Sequence, residues 1–129
     1  MPITVLLTDD KEAVRNSIRM LLESDPEIRI VGEAANFQQA IQSATDLKPQ
    51  VVVMDLHMPD ASSINPQEIK SLLKKLEAQV IAISFWNDEG TQALAESLGA
   101  VTLLDKMKLA TELIPAIKDA TGKRRGASV

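Results

Sequence analysis

The apolar positions of this chain switch period repeatedly. Ile3-Thr4-Val5-Leu6-Leu7-Thr8 is a short run rich in β-branched residues, and after it Val14, Ile18, Leu21 and Leu22 fall at i, i+4, i+7 and i+8, one face of a helix. Ser24-Asp25-Pro26 should stop that helix. Ile28 to Gly32 alternates, as an edge strand does, and Asn36 is placed to cap a helix through Ala40, Ile41 and Ala44 to about Leu47. Gln50 to Met54 is apolar on consecutive residues, the pattern of a central strand buried on both faces. A loop from Leu56 to Pro66 leads to a helix carrying Ile69, Leu72, Leu73 and Leu76. Val80 to Ser84 reads as the fourth strand, Glu89 to Leu98 as a helix ended by Gly99, and Val101 to Leu104 as the fifth strand. A last helix spans about Leu109 to Ala120 with Leu113, Ile114 and Ile117 inward. Five strands alternating with five helices predict an α/β fold, a single doubly wound parallel sheet with right-handed crossovers and helices on both faces.

Such sheets place their sites beyond the carboxyl ends of the strands. Asp9 and Asp10 follow the first run, Asp55 the third, Ser84 ends the fourth, and Lys106 follows Leu103-Leu104-Asp105 of the fifth. If these runs are neighbours, three carboxylates and an ammonium converge. Two like charges about 5 Å apart repel by roughly 3 kcal/mol at an effective dielectric of 20. A hard cation such as Mg²⁺ relieves that repulsion, and one carboxylate is then free to react.

The remaining composition narrows the function classes. The chain has 129 residues with 45% apolar and 25% charged, enough for one domain with a real core. A formal charge of −4 argues against direct nucleic-acid binding, and the scarcity of aromatics (Phe37, Phe85 and Trp86) against stacking on single strands. No apolar run is long enough to span a bilayer, so no membrane role is expected. The absence of cysteine removes thiol and disulfide chemistry and fits a cytoplasmic protein. We expect one domain over residues 1–122, followed at 123–129 by a basic tail or the start of a linker, with Lys123, Arg124 and Arg125.

A carboxylate can accept a phosphoryl group directly if its surroundings neutralise the incoming charge. Asp55, ending the most buried run, is the expected phosphoacceptor. Asp9 and Asp10 are expected to hold Mg²⁺, directly or through water, with Asp55 and the backbone carbonyl of His57 as further ligands. Ser84 offers a hydroxyl and Lys106 a mobile point charge to the phosphoryl oxygens. Blander uses exist for each: a helix cap for Asp9, a turn for Asp55, a loop cap for Ser84, an exposed lysine for Lys106. Their joint position at strand ends favours the chemical reading. His57, the sole histidine, reads as a solvent-facing loop residue overlooking Asp55, and Trp86 as a rim residue.

Together these residues resemble a response-regulator receiver domain of bacterial two-component signalling. The likeness is carried by Asp9-Asp10, by Asp55-Leu56-His57-Met58-Pro59, by Ser84, and by Lys106 seven residues after Gly99, and covers about residues 2 to 120. The stretch from Asp9 through Leu22 is most similar to receivers of LuxR-type regulators. The resemblance implies a flavodoxin-like sheet of order 2-1-3-4-5 and phosphoryl transfer from a sensor histidine kinase onto Asp55. It also implies a switch drawing the Ser84 loop and the face of the fourth helix inward, rather than turnover catalysis. The partners it implies are the kinase and an output domain or downstream protein, with a homodimer left open. A LuxR-like first half and a basic tail favour the receiver portion of a longer transcription regulator.

Four positions depart from the family pattern. Met107 stands where a proline in a cis peptide is usual; a non-proline cis bond costs about 3 kcal/mol, so a trans bond is expected. Leu103 replaces the aromatic that swings inward on activation, Phe85 replaces a small residue beside Ser84, and Asp60 to Pro66 lacks the usual glycine. Leu103, Phe85 and Met107 support an alternative, a pseudo-receiver acting as a phosphorylation-independent interaction module, against which the intact acidic triad with Ser84 and Lys106 weighs. A flavin-binding protein would need a hydroxyl- and glycine-rich loop where Asp9-Asp10 stand. A small aspartate-nucleophile phosphatase would need two aspartates one residue apart, whereas these are adjacent.

Overall fold

The computed structural model describes residues 2–122, so the expected basic tail at 123–129 lies outside the described residues. Five strands, β1 (Ile3–Thr8), β2 (Ile28–Ala34), β3 (Val51–Asp55), β4 (Gln79–Ser84) and β5 (Ala100–Asp105), form one parallel sheet in the order β2-β1-β3-β4-β5. Between and after them come α1 (Glu12–Glu23), α2 (Phe37–Leu47), α3 (Pro66–Lys75), α4 (Glu89–Ser97) and α5 (Leu109–Ala120). The expected doubly wound order and alternation are both present.

Strand burial follows the sequence pattern. All five residues of β3 are buried, as a run without polar alternation requires, while β2 at one edge and β5 at the other are only partly covered. The alternating pleat divides the interior into two cores. Val51 and Val53 face Ile18 and Leu22 of α1 and Leu113 and Ile117 of α5, and Val52 and Met54 face Phe37 of α2 and Ile69 and Leu73 of α3. Each fully buried Leu, Ile or Phe contributes about 1.5–3 kcal/mol relative to exposure, so the two layers fix β3 in the centre of the molecule.

Element boundaries differ from the sequence expectation by one or two residues, with two substantive exceptions. The loop after β3 contains a short 3-10 turn, Ala61–Ser63, and the Asp60 carboxylate accepts from the Phe37 and Gln38 backbone N–H groups at 3.0 Å each. Asn36 caps Gln39 N–H as expected, so two side chains share the N-terminus of α2. A second 3-10 turn, Lys106–Lys108, follows β5 and is capped by the Asp105 carboxylate on Met107 N–H. No cis peptide occurs among the described residues, which agrees with the trans bond expected before Met107. Gly99 turns the chain from α4 into β5 at a φ of +77°, where a side chain would be strained and would also meet Lys70 Cγ at 2.9 Å.

Candidate functional site

The strand order reverses between β1 and β3, so their carboxyl ends open onto the crevice where ligands bind in such sheets. Asp9 and Asp10 follow β1, and Asp55 is the last residue of β3. Asp9 and Asp55 are each 1% exposed, while Asp10 is half-buried and lies 3.7 Å from Lys11 Nζ. One carboxylate oxygen from each of Asp9, Asp10 and Asp55 lies within 4.8 Å of the others. Lys106 reaches in from the end of β5, its Nζ 2.7 Å from Asp9 Oδ2 and 3.2 Å from Asp55 Oδ1.

The electrostatics follow from this placement. Burial pushes the Asp55 carboxyl above its ordinary range; the charge of Asp9 adds to the rise, while the His57 N–H at 3.1 Å and the Lys106 ammonium oppose it. One ammonium between two buried carboxylates leaves the triad short of positive charge. All-oxygen, closely spaced donors are what a hard divalent cation requires, so the residues present fit Mg²⁺.

Asp9 is itself held from three sides. Its Oδ1 accepts from Lys11 N–H at 2.9 Å, its N–H donates to Ala34 O at 3.1 Å, and its carbonyl accepts from Arg15 Nη1 at 2.6 Å. Arg15 in turn is paired with Glu33 of β2 at 2.8 Å, and Arg19 one turn along α1 takes the other Glu33 oxygen. Sequence reasoning missed this clamp. The spacing of Arg15 and Arg19 on one helix side was visible, but only the pairing of β1 with β2 supplies their acid.

Ser84 ends β4 at 2% exposure. Its hydroxyl accepts from Trp86 N–H at 2.9 Å and shares a hydrogen bond with His57 Nε2 at 3.0 Å. The loop-capping use of this serine is therefore present in the structure. His57 is exposed, as expected, but its ring is engaged with Ser84 and stands edge-on to Trp86 with centroids 4.7 Å apart. Phe85 and Met107 are exposed at the rim, and the Phe85 ring centroid lies 5.1 Å from Lys106 Nζ. Leu103 is partly buried against the core that carries Met54 and Ala82.

Residues 5–118 match the response regulator receiver domain family. The chain belongs to that family. It is 32% identical over 119 residues to the nitrate/nitrite response regulator protein NarL of Escherichia coli K12, covering 92% of this chain and 55% of that protein. It is also 32% identical over 129 residues to a protein-glutamate methylesterase/protein-glutamine glutaminase of Thermotoga maritima, covering 92% of this chain and 37% of that protein. The chain thus spans between about a third and just over half of these relatives. Among solved structures, the response regulator domain of Thermotoga maritima CheB superposes with a TM-score of 0.79 at 29% identity, over 93% of this chain and 96% of that one. A LuxR-family response regulator from Aurantimonas superposes at 0.81 with 25% identity, over 95% and 87% of the two chains. The receiver fold and family membership expected from the sequence are both shown. No described helix is long and apolar enough to cross a membrane.

Proposed function

We propose that this receiver takes a phosphoryl group onto Asp55 from the phosphohistidine of a sensor histidine kinase, in a Mg²⁺-dependent step, and relays its state to an output domain or downstream protein. The observation that carries this reading is the Asp55 carboxylate, buried at the end of the central strand beside Asp9, Asp10 and Lys106. Asp9, Asp10 and Asp55, with the backbone carbonyl of His57, would hold the cation. Bound there, it supplies positive charge to the incoming phosphoryl oxygens.

In the transfer, an Asp55 oxygen forms a bond to phosphorus as the P–N bond to the donor imidazole breaks, and that electron pair returns to the imidazole nitrogen. Lys106 moves its charge from the carboxylates to a phosphoryl oxygen. Ser84 donates its hydroxyl proton to another. In this reading residues 1–122 are the receiver domain and residues 123–129 a basic tail or the start of a linker, and the protein works in the cytoplasm. Similarity to NarL and to the LuxR-family structure supports a transcription regulator as the output.

Intact mass after incubation with Mg²⁺ and acetyl phosphate tests the proposal. One added phosphoryl group, absent with EDTA and absent in Asp55→Asn, is the expected result. A chain that gains no mass while Mg²⁺ still changes Trp86 fluorescence has a metal site that donors do not use. That result would leave a phosphorylation-independent interaction module.

A further inference from the structure

The hydroxyl of Ser84 is already in use. Among the described residues its hydrogen-bonding partners are His57 Nε2 and Trp86 N–H, not Asp55, Asp9 or Lys106. Two arrangements satisfy this pair. If Nε2 lacks a proton, Ser84 spends its own proton on His57; if Nε2 carries one, the serine oxygen accepts from both His57 and Trp86 and is pinned by two donors. In the first arrangement Ser84 can donate to a phosphoryl oxygen on Asp55 only by giving up the His57 bond; in the second its proton is free, and the bond is lost only if the side chain itself swings away. The histidine ring is also fixed in place, standing edge-on to Trp86 at 4.7 Å, while its own backbone N–H holds Asp55 Oδ1.

We propose that His57 is a positioning residue that latches Ser84 in the resting state by accepting its hydroxyl proton at Nε2, so that occupation of Asp55 by a phosphoryl group exchanges the Ser84–His57 bond for a Ser84–phosphoryl bond. The inference rests on the phosphoacceptor reading above. Its consequence is that His57 biases the receiver toward its unphosphorylated form, although the hydrogen bond of its side chain goes to Ser84 and not to Asp9, Asp10 or Asp55. The bond that is lost reforms with water, because His57 is exposed, so the bias is the modest net worth of one hydrogen bond.

The test compares binding of beryllium trifluoride, a phosphoryl mimic, with binding of Mg²⁺ alone, both by calorimetry. His57→Phe keeps a ring against Trp86 and removes Nε2; His57→Gln offers an amide at similar reach; both keep the backbone N–H on Asp55. His57→Phe should bind the mimic about two- to tenfold more tightly than wild type after any change in its affinity for Mg²⁺ alone has been subtracted. His57→Gln should return toward wild type, and on a Ser84→Ala background His57→Phe should have no further effect. A wild-type response with His57→Phe equal or weaker overturns the latch alone. Tightening that persists without the Ser84 hydroxyl overturns it as well. A wild type that binds no mimic in the presence of Mg²⁺ removes the phosphoacceptor reading and the latch together.

Discussion

At Asp55, one residue carries two opposed demands. The end of a strand buried on both faces places its carboxylate where solvation is poorest, and the neighbouring Asp9 adds repulsion. A carboxyl whose pKa is higher in the folded than in the unfolded chain favours folding when protonated. That contribution is full below the unfolded pKa and is lost as pH rises through the folded one. At neutral pH, ionised Asp55 therefore carries a net cost in the metal-free protein. Asp55→Asn should stabilise the metal-free chain at pH 7, since it removes a buried charge while Lys106 keeps its 2.7 Å contact with Asp9. The advantage should shrink on acidification, as wild-type Asp55 takes up its proton above the usual carboxylate range. Urea unfolding of both proteins from neutral pH down into the acid range checks the sign. Equal stability at pH 7 would mean that Lys106 fully offsets the burial. The residues proposed for the site were legible at this scale because each stands at or just past the end of an apolar run. The use of Ser84 by His57 was not, because the two are 27 residues apart and meet only once β3 and β4 pair.

Among the elements, α1 and β2 are joined by charge as well as by packing. Burial alone would raise the Glu33 pKa, but hydrogen bonds from Arg19 and then Arg15 outweigh it and hold the carboxyl below its ordinary range. A lowered carboxyl pKa adds stability above the unfolded pKa that is lost as pH falls through the folded one. The pair is a quarter exposed on the Glu33 side, so screening keeps its worth small. Glu33→Gln should cost about 0.5–1 kcal/mol at pH 7 and nothing once both states are protonated in acid, measured by denaturant unfolding. Because Arg15 also holds the Asp9 carbonyl, the same substitution loosens the backbone of a proposed metal ligand. The element pattern itself was readable: Asn36 caps α2, Gly99 ends the α4 turn, and continuous apolarity marks β3. The Asp60 contact to α2 was hidden, since an aspartate in a polar loop after Met58-Pro59 has many local uses and only the tertiary fold offers it free N–H groups. Pro115 lies inside α5, and the helix continues through it because Leu113 and Ile117 on either side are fully buried.

For the whole molecule, the acidic crevice links cation binding to folding. A cation that binds only the native chain adds RT ln(1 + [L]/Kd), about 2.7 kcal/mol at a hundredfold excess over Kd. Mg²⁺ should therefore raise the melting temperature of the wild type, and EDTA should reverse the shift. Asp10 separates metal binding from ordinary structural support. It is half-buried and its described ion pair is the loose 3.7 Å contact with Lys11, so Asp10→Asn removes little from the metal-free fold. The variant should melt within about 0.5 kcal/mol of wild type without metal, the range of ordinary surface substitutions, yet lose most of the Mg²⁺-dependent rise. An undiminished rise in Asp10→Asn would remove Asp10 from the cation site and leave Asp9 and Asp55 as the pair that binds. A large loss of stability before any metal is added would instead assign Asp10 to the fold, with its carboxylate supporting the β1–α1 junction rather than a ligand.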